Sequence, residues 1–217
     1  VFILATGMLF CILTGGNIDL SVGSVVCFVG AVGGKMMVTN EMNPYLSIIV
    51  MLLVGLLIGA WQGFWIAYVR IPPFIVTLAG MLVFRGLSNV VLEGMTLAPM
   101  PDNFLALFNN YIPDFFGMEG FNMTCFLVGV VVCVLYVFMV LKGRASRAKK
   151  GYRVEPFGGV LIKMIVICAA VLAFMFRLAQ YKGIPNSLVW IVLVIAVYTY
   201  IASKTTVGRY FYAVGGN

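Results

Sequence analysis

The chain is 217 residues long, and 63% of these residues are hydrophobic whereas 10% are charged. That composition is too apolar for a soluble domain and too weakly charged for a disordered segment, so it indicates an integral membrane protein. The net charge is +7, and the sequence contains no histidine. The absence of histidine excludes Ser-His and Cys-His nucleophile pairs and removes the commonest metal ligand.

The apolar segments are long and continuous, which predicts an all-α, polytopic transmembrane helical bundle instead of a barrel of alternating ten-residue runs. The first segment, Val1 to Leu13, is too short to span and is expected to be the tail of a truncated helix. Six full spans follow it: Ser21–Val38, Tyr45–Val69, Pro72–Leu92, Asn122–Leu141, Phe157–Gln180 and Ser187–Ser203. We therefore expect one transmembrane domain over residues 1–217, with six full spans and one partial span.

A polar, glycine-rich break near the N-terminus, TGGNIDLSVGS, separates the first two apolar segments. Its carboxylate, Asp19, would cost about 2.5 to 3.5 kcal/mol at membrane depth, so its usual place is a bundle interior or a polar pathway. Non-helical backbone at that depth also needs protein or water to satisfy its polar groups. The break therefore predicts part of a translocation path, with four candidate residues: Asn17, Asp19, Ser21 and Ser24. An equally open interpretation is that Asp19 and Ser21 cap a helix while Asn17 turns the chain.

The longest connection, Thr96 to Phe121, combines prolines, acidic residues and five aromatic rings. Such a mixture is typical of the membrane interface and predicts a short surface helix there. Docking of an external partner is the alternative interpretation.

A basic connection, KGRASRAKKGYRVE, follows Leu141. The positive-inside rule places it in the cytoplasm, and alternation of the spans then places Arg70, Lys204 and Arg209 on the same side. The opposite side receives five acidic residues: Glu41, Glu93, Asp102, Asp114 and Glu119. Such a cluster could instead bind nucleic acid or anionic lipid, but a topogenic role is far more common beside a helix end. As partners we expect membrane lipid and no nucleic acid.

The charged side chains and thiols inside the spans do not indicate a catalytic or metal site. Lys163 and Arg177 are expected to snorkel to opposite interfaces, whereas Arg85 lies mid-span and leaves open a partner inside the bundle. The five cysteines fall in apolar segments, without metal-ligand spacing or the pattern of a disulfide framework. With no GxxxxGK[ST] loop either, we predict no catalytic residue, no metal and no cofactor.

Three blocks of the sequence resemble the permeases of bacterial ABC-type monosaccharide importers, the ribose, xylose and multiple-sugar group. They are LTGGNIDLSVGS at Leu13 to Ser24, YVRIPPFIVTLAGMLVFRGL at Tyr68 to Leu87 and VGRYFYAVGGN at Val207 to Asn217. The resemblance implies a non-catalytic permease subunit in the bacterial inner membrane, paired with a second permease subunit as a homodimer or heterodimer. Cytoplasmic ATP-binding subunits would hydrolyse ATP, and a periplasmic sugar-binding protein would deliver the monosaccharide.

The resemblance also implies a fragment, incomplete at both ends, that lacks the first helix, the short ATPase-contacting helix and the last spans. One departure from the family is Gln62-Gly63, where many relatives have Asn-Gly, and this weakens any role for position 62.

The last block predicts the residues that lead into the ATPase-coupling surface. Glycines there permit the tight backbone needed between a span and a short docking helix. The candidates are Gly208, Arg209, Tyr210, Gly215, Gly216 and Asn217. Alternatively, Arg209 and Tyr210 anchor the helix end at the membrane interface.

Without the resemblance, three classes of membrane protein remain open: a primary-transport permease, an ion-coupled secondary transporter and a structural membrane protein. A secondary transporter is expected to show inverted repeats and more intramembrane carboxylates, and we find neither. An intramembrane protease or lipid-modifying enzyme is the enzyme alternative. The resemblance favours the sugar-import permease, but it does not name the sugar.

Overall fold

Helices make up most of the computed structural model, which describes residues 2–117, 120–151 and 156–216. In chain order they are α1 (Phe2–Leu13), α2 (Val22–Gly34), α3 (Pro44–Ala67), α4 (Pro73–Leu92), α5 (Asp102–Asn109), α6 (Met123–Lys149), α7 (Phe157–Ala179), α8 (Asn186–Lys204) and α9 (Thr206–Gly215). A π-helix, Lys35–Thr39, continues α2. The described residues contain no β-strand, and the all-α prediction is confirmed.

Six of these helices are long and apolar enough to cross a membrane: α2 with its π-helical continuation, α3, α4, α6, α7 and α8. The shorter apolar helix α1 precedes them, so the prediction of six full spans and one partial span is confirmed. Predicted and observed ends agree within two residues except at one place. There α6 runs through much of the basic connection and ends at Lys149 instead of Leu141.

The helix starts follow from local side-chain chemistry. Asn43 accepts a hydrogen bond from the Tyr45 N–H at 2.9 Å before α3, and Asn122 accepts one from the Cys125 N–H at 2.8 Å before α6. Both are N-caps, which satisfy backbone donors that a first helical turn leaves free. Pro44 and Pro73 occupy first-turn positions, where a missing N–H costs nothing.

The chain packs as two compact units, of which unit 1 comprises Val1–Phe108 and Trp190–Asn217. Within it α2 packs most extensively on α4, and α3 contacts both. Lys35 of the π-helix joins the ends of α2 and α4, because its Nζ lies 2.6 Å from the Glu93 carboxylate and 3.2 Å from the Val91 carbonyl oxygen. The hydrogen bond and charge of Lys35 hold the pKa of Glu93 below its ordinary value.

Unit 2, Asn109–Val189, is built on the packing of α6 against α7. Asp114 caps α6 from the preceding loop, since its carboxylate accepts the Thr124 hydroxyl at 2.7 Å and the Thr124 N–H at 3.1 Å. The long connection also contains the short helix α5, which falls in unit 1 up to Phe108, so the short helix predicted there is confirmed. Glu119 of that connection, and Arg153 and Glu155 of the basic one, lie outside the described residues.

Large apolar side chains of the spans mostly face outwards. Leu56 and Val90, for example, are 70% and 71% exposed. Such a surface suits a chain solvated by lipid tails, which are as apolar as leucine. Arg85 is also exposed on α4 and forms no ion pair with any described residue. The interior partner that its mid-span position left open is therefore not found in the described part of the chain.

Candidate functional site

The polar break joins α1 to α2 through a glycine turn. Gly15 and Gly16 have φ angles of 103° and 78°, a left-handed conformation that glycine adopts without steric cost. The Asn17 side chain donates to the Thr14 carbonyl oxygen at 3.0 Å. Asn17 thus closes the turn.

Three side chains form a continuous hydrogen-bonded relay at the start of α2. The Asp19 carboxylate oxygen Oδ1 accepts the Ser21 N–H at 2.8 Å and the Ser21 hydroxyl at 2.7 Å. The Ser21 Oγ in turn lies 3.0 Å from the Gln62 amide nitrogen and 3.1 Å from the Gln62 amide oxygen. A hydroxyl carries one hydrogen, and the carboxylate is the nearer and stronger acceptor. Ser21 therefore donates to Asp19 and accepts from Gln62, and bonds in such a chain polarise one another.

Two members of the relay, Ser21 and Gln62, are buried between α2, α3 and α4, and Asp19 is half-buried. Ser21 has no exposed surface and Gln62 is 7% exposed. On α4, a Cβ atom at Gly80 would overlap the Gln62 amide nitrogen and lie 3.5 Å from the Ser21 Cβ. Gln62 precedes the end of α3 at Ala67 by about 8 Å along the helix axis, at 1.5 Å per residue. The relay consequently lies inside the apolar segment, nearer the end that leads to Arg70.

The four path candidates are only partly brought together. Asp19 and Ser21 share the relay, whereas Asn17 bonds back to Thr14, and the half-buried Ser24 makes no side-chain hydrogen bond to a described residue. A recess of about 390 Å³ opens beside Asp19, lined by Leu4, Ala5, Met8, Asp19, Leu20, Val22 and Gly23. The Asp19 carboxylate is therefore the polar group of an otherwise apolar recess.

Gln62 and Gly80 were missed as site residues by the sequence analysis. The contact between Gln62 and Ser21 joins residues far apart in the chain, and the departure from the family pattern counted against position 62. A usable signal existed, because a primary amide inside an apolar span needs a hydrogen-bonding partner within the protein.

The second candidate group lies on α9, which follows α8 after a single residue, Thr205. Thr205 accepts the Gly208 N–H at 3.2 Å and donates its hydroxyl to the Ile201 carbonyl oxygen at 2.6 Å. Gly208 is buried, and a Cβ there would overlap the carbonyl oxygens of Ile201 and Ala202. Gly208 thus permits the close approach of α9 to the end of α8.

Arg209 and Tyr210, by contrast, are exposed, Tyr210 to 70%. The Gly216 N–H donates to the Tyr212 carbonyl oxygen at 2.9 Å and ends α9, and Asn217 lies outside the described residues. The block that was expected to lead into a docking helix is therefore largely helical itself.

The end of α9 packs against the beginning of the polar break. A Cβ at Gly215 would overlap the Leu13 carbonyl oxygen and lie 3.2 Å from the Gly15 nitrogen. Nearby, the Phe10 ring of α1 meets the rings of Phe211 and Tyr198 edge-on, each with centroids 5.1 Å apart. The two candidate groups, distant in sequence, are thus adjacent in unit 1.

Curated relatives of this chain include permease proteins of sugar transport systems. The xylose transport system permease protein XylH of Escherichia coli (strain K12) is 35% identical over 215 residues, which cover 99% of this chain and 52% of that protein. XylH of Haemophilus influenzae is 31% identical, over 99% of this chain and 55% of that protein. The ribose import permease protein RbsC of Haemophilus influenzae is 44% identical over 92 residues, 42% of this chain and 28% of its own length. The chain thus spans about half the length of the xylose permeases it matches.

No solved structure is significantly similar to this chain. A family model, however, matches residues 1–217 in full, and its description is "Branched-chain amino acid transport system / permease component". Together with the six candidate membrane spans, this match makes the chain a multi-pass membrane protein. The chain belongs to that permease family.

Proposed function

We propose that the chain is the membrane-spanning permease part of an ATP-driven importer and forms part of the translocation path for a monosaccharide. The observation that carries the proposal is the similarity to xylose permeases over 99% of the chain. The partly buried relay at the polar break supports it, because polar side chains inside a membrane bundle usually serve a pathway.

In this proposal the chain itself is not catalytic. ATP would be hydrolysed by separate cytoplasmic subunits, a second permease subunit would complete the path, and a periplasmic sugar-binding protein would deliver substrate. The bacterial inner membrane is the proposed location, with the basic connection after Leu141 on the cytoplasmic side.

The polar break would line the cytoplasmic part of the path. Asp19 and Ser21 would hold its backbone to α3 through Gln62, while Asn17 closes the turn and Ser24 presents a hydroxyl one turn further along α2. Such a fixed polar edge offers weak hydrogen bonds to a passing sugar without trapping it.

The helix α9 would transmit conformational changes of the ATP-binding subunit to that path. Its exposed residues Arg209 and Tyr210 would contact the ATP-binding subunit, with Gly208, Gly215, Gly216 and Asn217 shaping the backbone around them. Because Gly215 packs on Leu13 and Gly15, a displacement of α9 would push directly on the polar break.

Uptake of labelled pentoses and hexoses by the full-length system tests the path. Asp19→Ala removes the acceptor of two hydrogen bonds and should lower uptake per assembled complex, whereas Glu41→Ala, an acidic residue outside the break, should not. Wild-type abundance together with wild-type uptake by Asp19→Ala would contradict the assignment, and uptake of none of the sugars would contradict the substrate class.

Crosslinking tests the coupling surface. Tyr210→Cys should crosslink to a cysteine on the ATP-binding subunit, and the yield should change with nucleotide. Tyr181→Cys is the matched control, because Tyr181 is likewise 70% exposed but follows the other end of a span. Equal yields from the two cysteines would rule out a coupling role for α9.

A further inference from the structure

Two free cysteines of unit 2 lie side by side where α6 packs on α7. The Cys133 Sγ lies 3.8 Å from the Cys168 carbonyl oxygen, and the two thiol groups also interact directly. One turn before Cys133, a Cβ at Gly129 would overlap the Met175 side chain, so the two helices approach each other closely. The cysteines therefore form a dithiol that helix packing holds in place, although they are 35 residues apart in the sequence.

The dithiol lies near the middle of the membrane. Cys133 is about 15 Å along α6 from Met123, and Cys168 is about 16 Å along α7 from Phe157, at 1.5 Å per residue. These distances are about half of a hydrocarbon core of roughly 30 Å. Cys133 is 8% exposed and Cys168 is half-buried, so a ligand reaches the pair from the acyl chains on the Cys168 side.

This depth restricts the chemistry of a ligand. A soft metal cation binds cysteine as thiolate, and two thiolates around one cation leave a net charge that is costly in hydrocarbon. A disulfide needs an oxidant and brings its sulfur atoms to about 2 Å, whereas one bridging atom holds two sulfur atoms further apart. The position therefore favours a ligand that is soluble in lipid, bridges two sulfur atoms and leaves the site uncharged.

A trivalent organoarsenical oxide meets these three requirements. Two As–S bonds form while both thiol protons pass to the oxygen on arsenic, which leaves as one water molecule, and arsenic stays trivalent and neutral. We propose that Cys133 and Cys168 form a dithiol site inside the membrane that binds one lipid-soluble trivalent organoarsenical as a bridge between α6 and α7. Because the second As–S bond is intramolecular, the bridge should be held about 100-fold more tightly than a single As–S bond.

Treatment of the full-length protein in membrane vesicles with phenylarsine oxide, followed by a monothiol wash, tests this proposal. Trypsin then cuts the basic connection after Leu141, and the fragments that carry the two cysteines should stay joined through arsenic until excess dithiol is added. The yield of joined fragments should fall about 100-fold in C133S and in C168S. C125S is the matched control and should keep the wild-type yield, because Cys125 is also buried on α6 but its thiol donates to the Met175 carbonyl oxygen at 3.5 Å.

Separate fragments from the treated wild type would overturn the proposal, as would joined fragments from C133S or C168S. Loss of the joined fragments in C125S would likewise overturn the assignment to Cys133 and Cys168. If a serine variant fails to insert, mass spectrometry of the wild-type digest decides, because the mass of the linked peptides identifies the bridged residues. Linked peptides that contain Cys133 and Cys168 would support the site, and their absence would refute it.

Discussion

Gly80→Ala is expected to disrupt the relay, because the added methyl group would occupy the space of the Gln62 amide nitrogen. The added methyl group would also meet the Ser21 Cβ at 3.5 Å, an ordinary van der Waals contact. Gly86→Ala is the matched control, since it lies on the same helix and a Cβ there meets no atom within 4 Å.

Three terms set the size of the effect. Overpacking a buried contact costs about 1 to 3 kcal/mol, and loss of the bond between Gln62 and Ser21 costs about 1 kcal/mol more. Alanine gains about 1 kcal/mol over glycine in a helix interior. Gly80→Ala should therefore lower the free energy of unfolding by about 1 to 3 kcal/mol, whereas Gly86→Ala should leave it unchanged or raise it by up to about 1 kcal/mol.

Denaturant unfolding of the full-length protein in mild detergent measures both variants. The Gly80→Ala cost should shrink in a Gln62→Ala background, because the atom that the methyl group displaces is then absent. Equal stability of Gly80→Ala and Gly86→Ala would refute the close contact, and additive costs of Gly80→Ala and Gln62→Ala would refute its assignment to that amide.

Two further predictions concern the helix ends. The pKa of Glu93 is lowered in the folded chain by its pairing with Lys35. This pairing therefore contributes its full stability at pH values above the ordinary glutamate pKa, and the contribution is lost as the pH falls through the lowered pKa. When stability is measured against pH, the acid loss of stability due to Glu93 should be absent from Glu93→Gln and present in Glu41→Gln. The same loss of stability in both variants would refute the pairing. In intact cells, Ser146→Cys should be shielded from an impermeant thiol reagent and Asn109→Cys should react, and reversed labelling would overturn the proposed orientation.

The span limits could be predicted because hydropathy and start signals coincide, as at Asn122 and Pro73. The end of α6 was missed for a physical reason: hydropathy detects where the apolar layer ends, not where the backbone stops being helical. Lysine, arginine and alanine are good helix formers, so α6 continues to Lys149. It ends only before Gly151, whose φ of 75° is typical of a residue that terminates a helix.

The site was less predictable than the spans. Local chemistry showed that Asp19 and Ser21 belong together, since they are two residues apart and one caps the backbone of the other. The partners contributed by α3 and α4 depend on how three helices pack, and no local pattern fixes the register of Gln62 against Gly80. The contact of Gly215 with Leu13 depends on tertiary packing in the same way.

The ion pair between Lys35 and Glu93 affects how α2, α3 and α4 can move. The ion pair joins α2 and α4 near one end. Near the other end, Gln62 of α3 donates a hydrogen bond to Ser21 and packs against Gly80 of α4. Polar contacts at both ends resist sliding and splaying alike, so these three helices should tilt as one rigid body. We therefore expect bending to fall on the glycine turn at Gly15 and Gly16, which lies beside the end of α9.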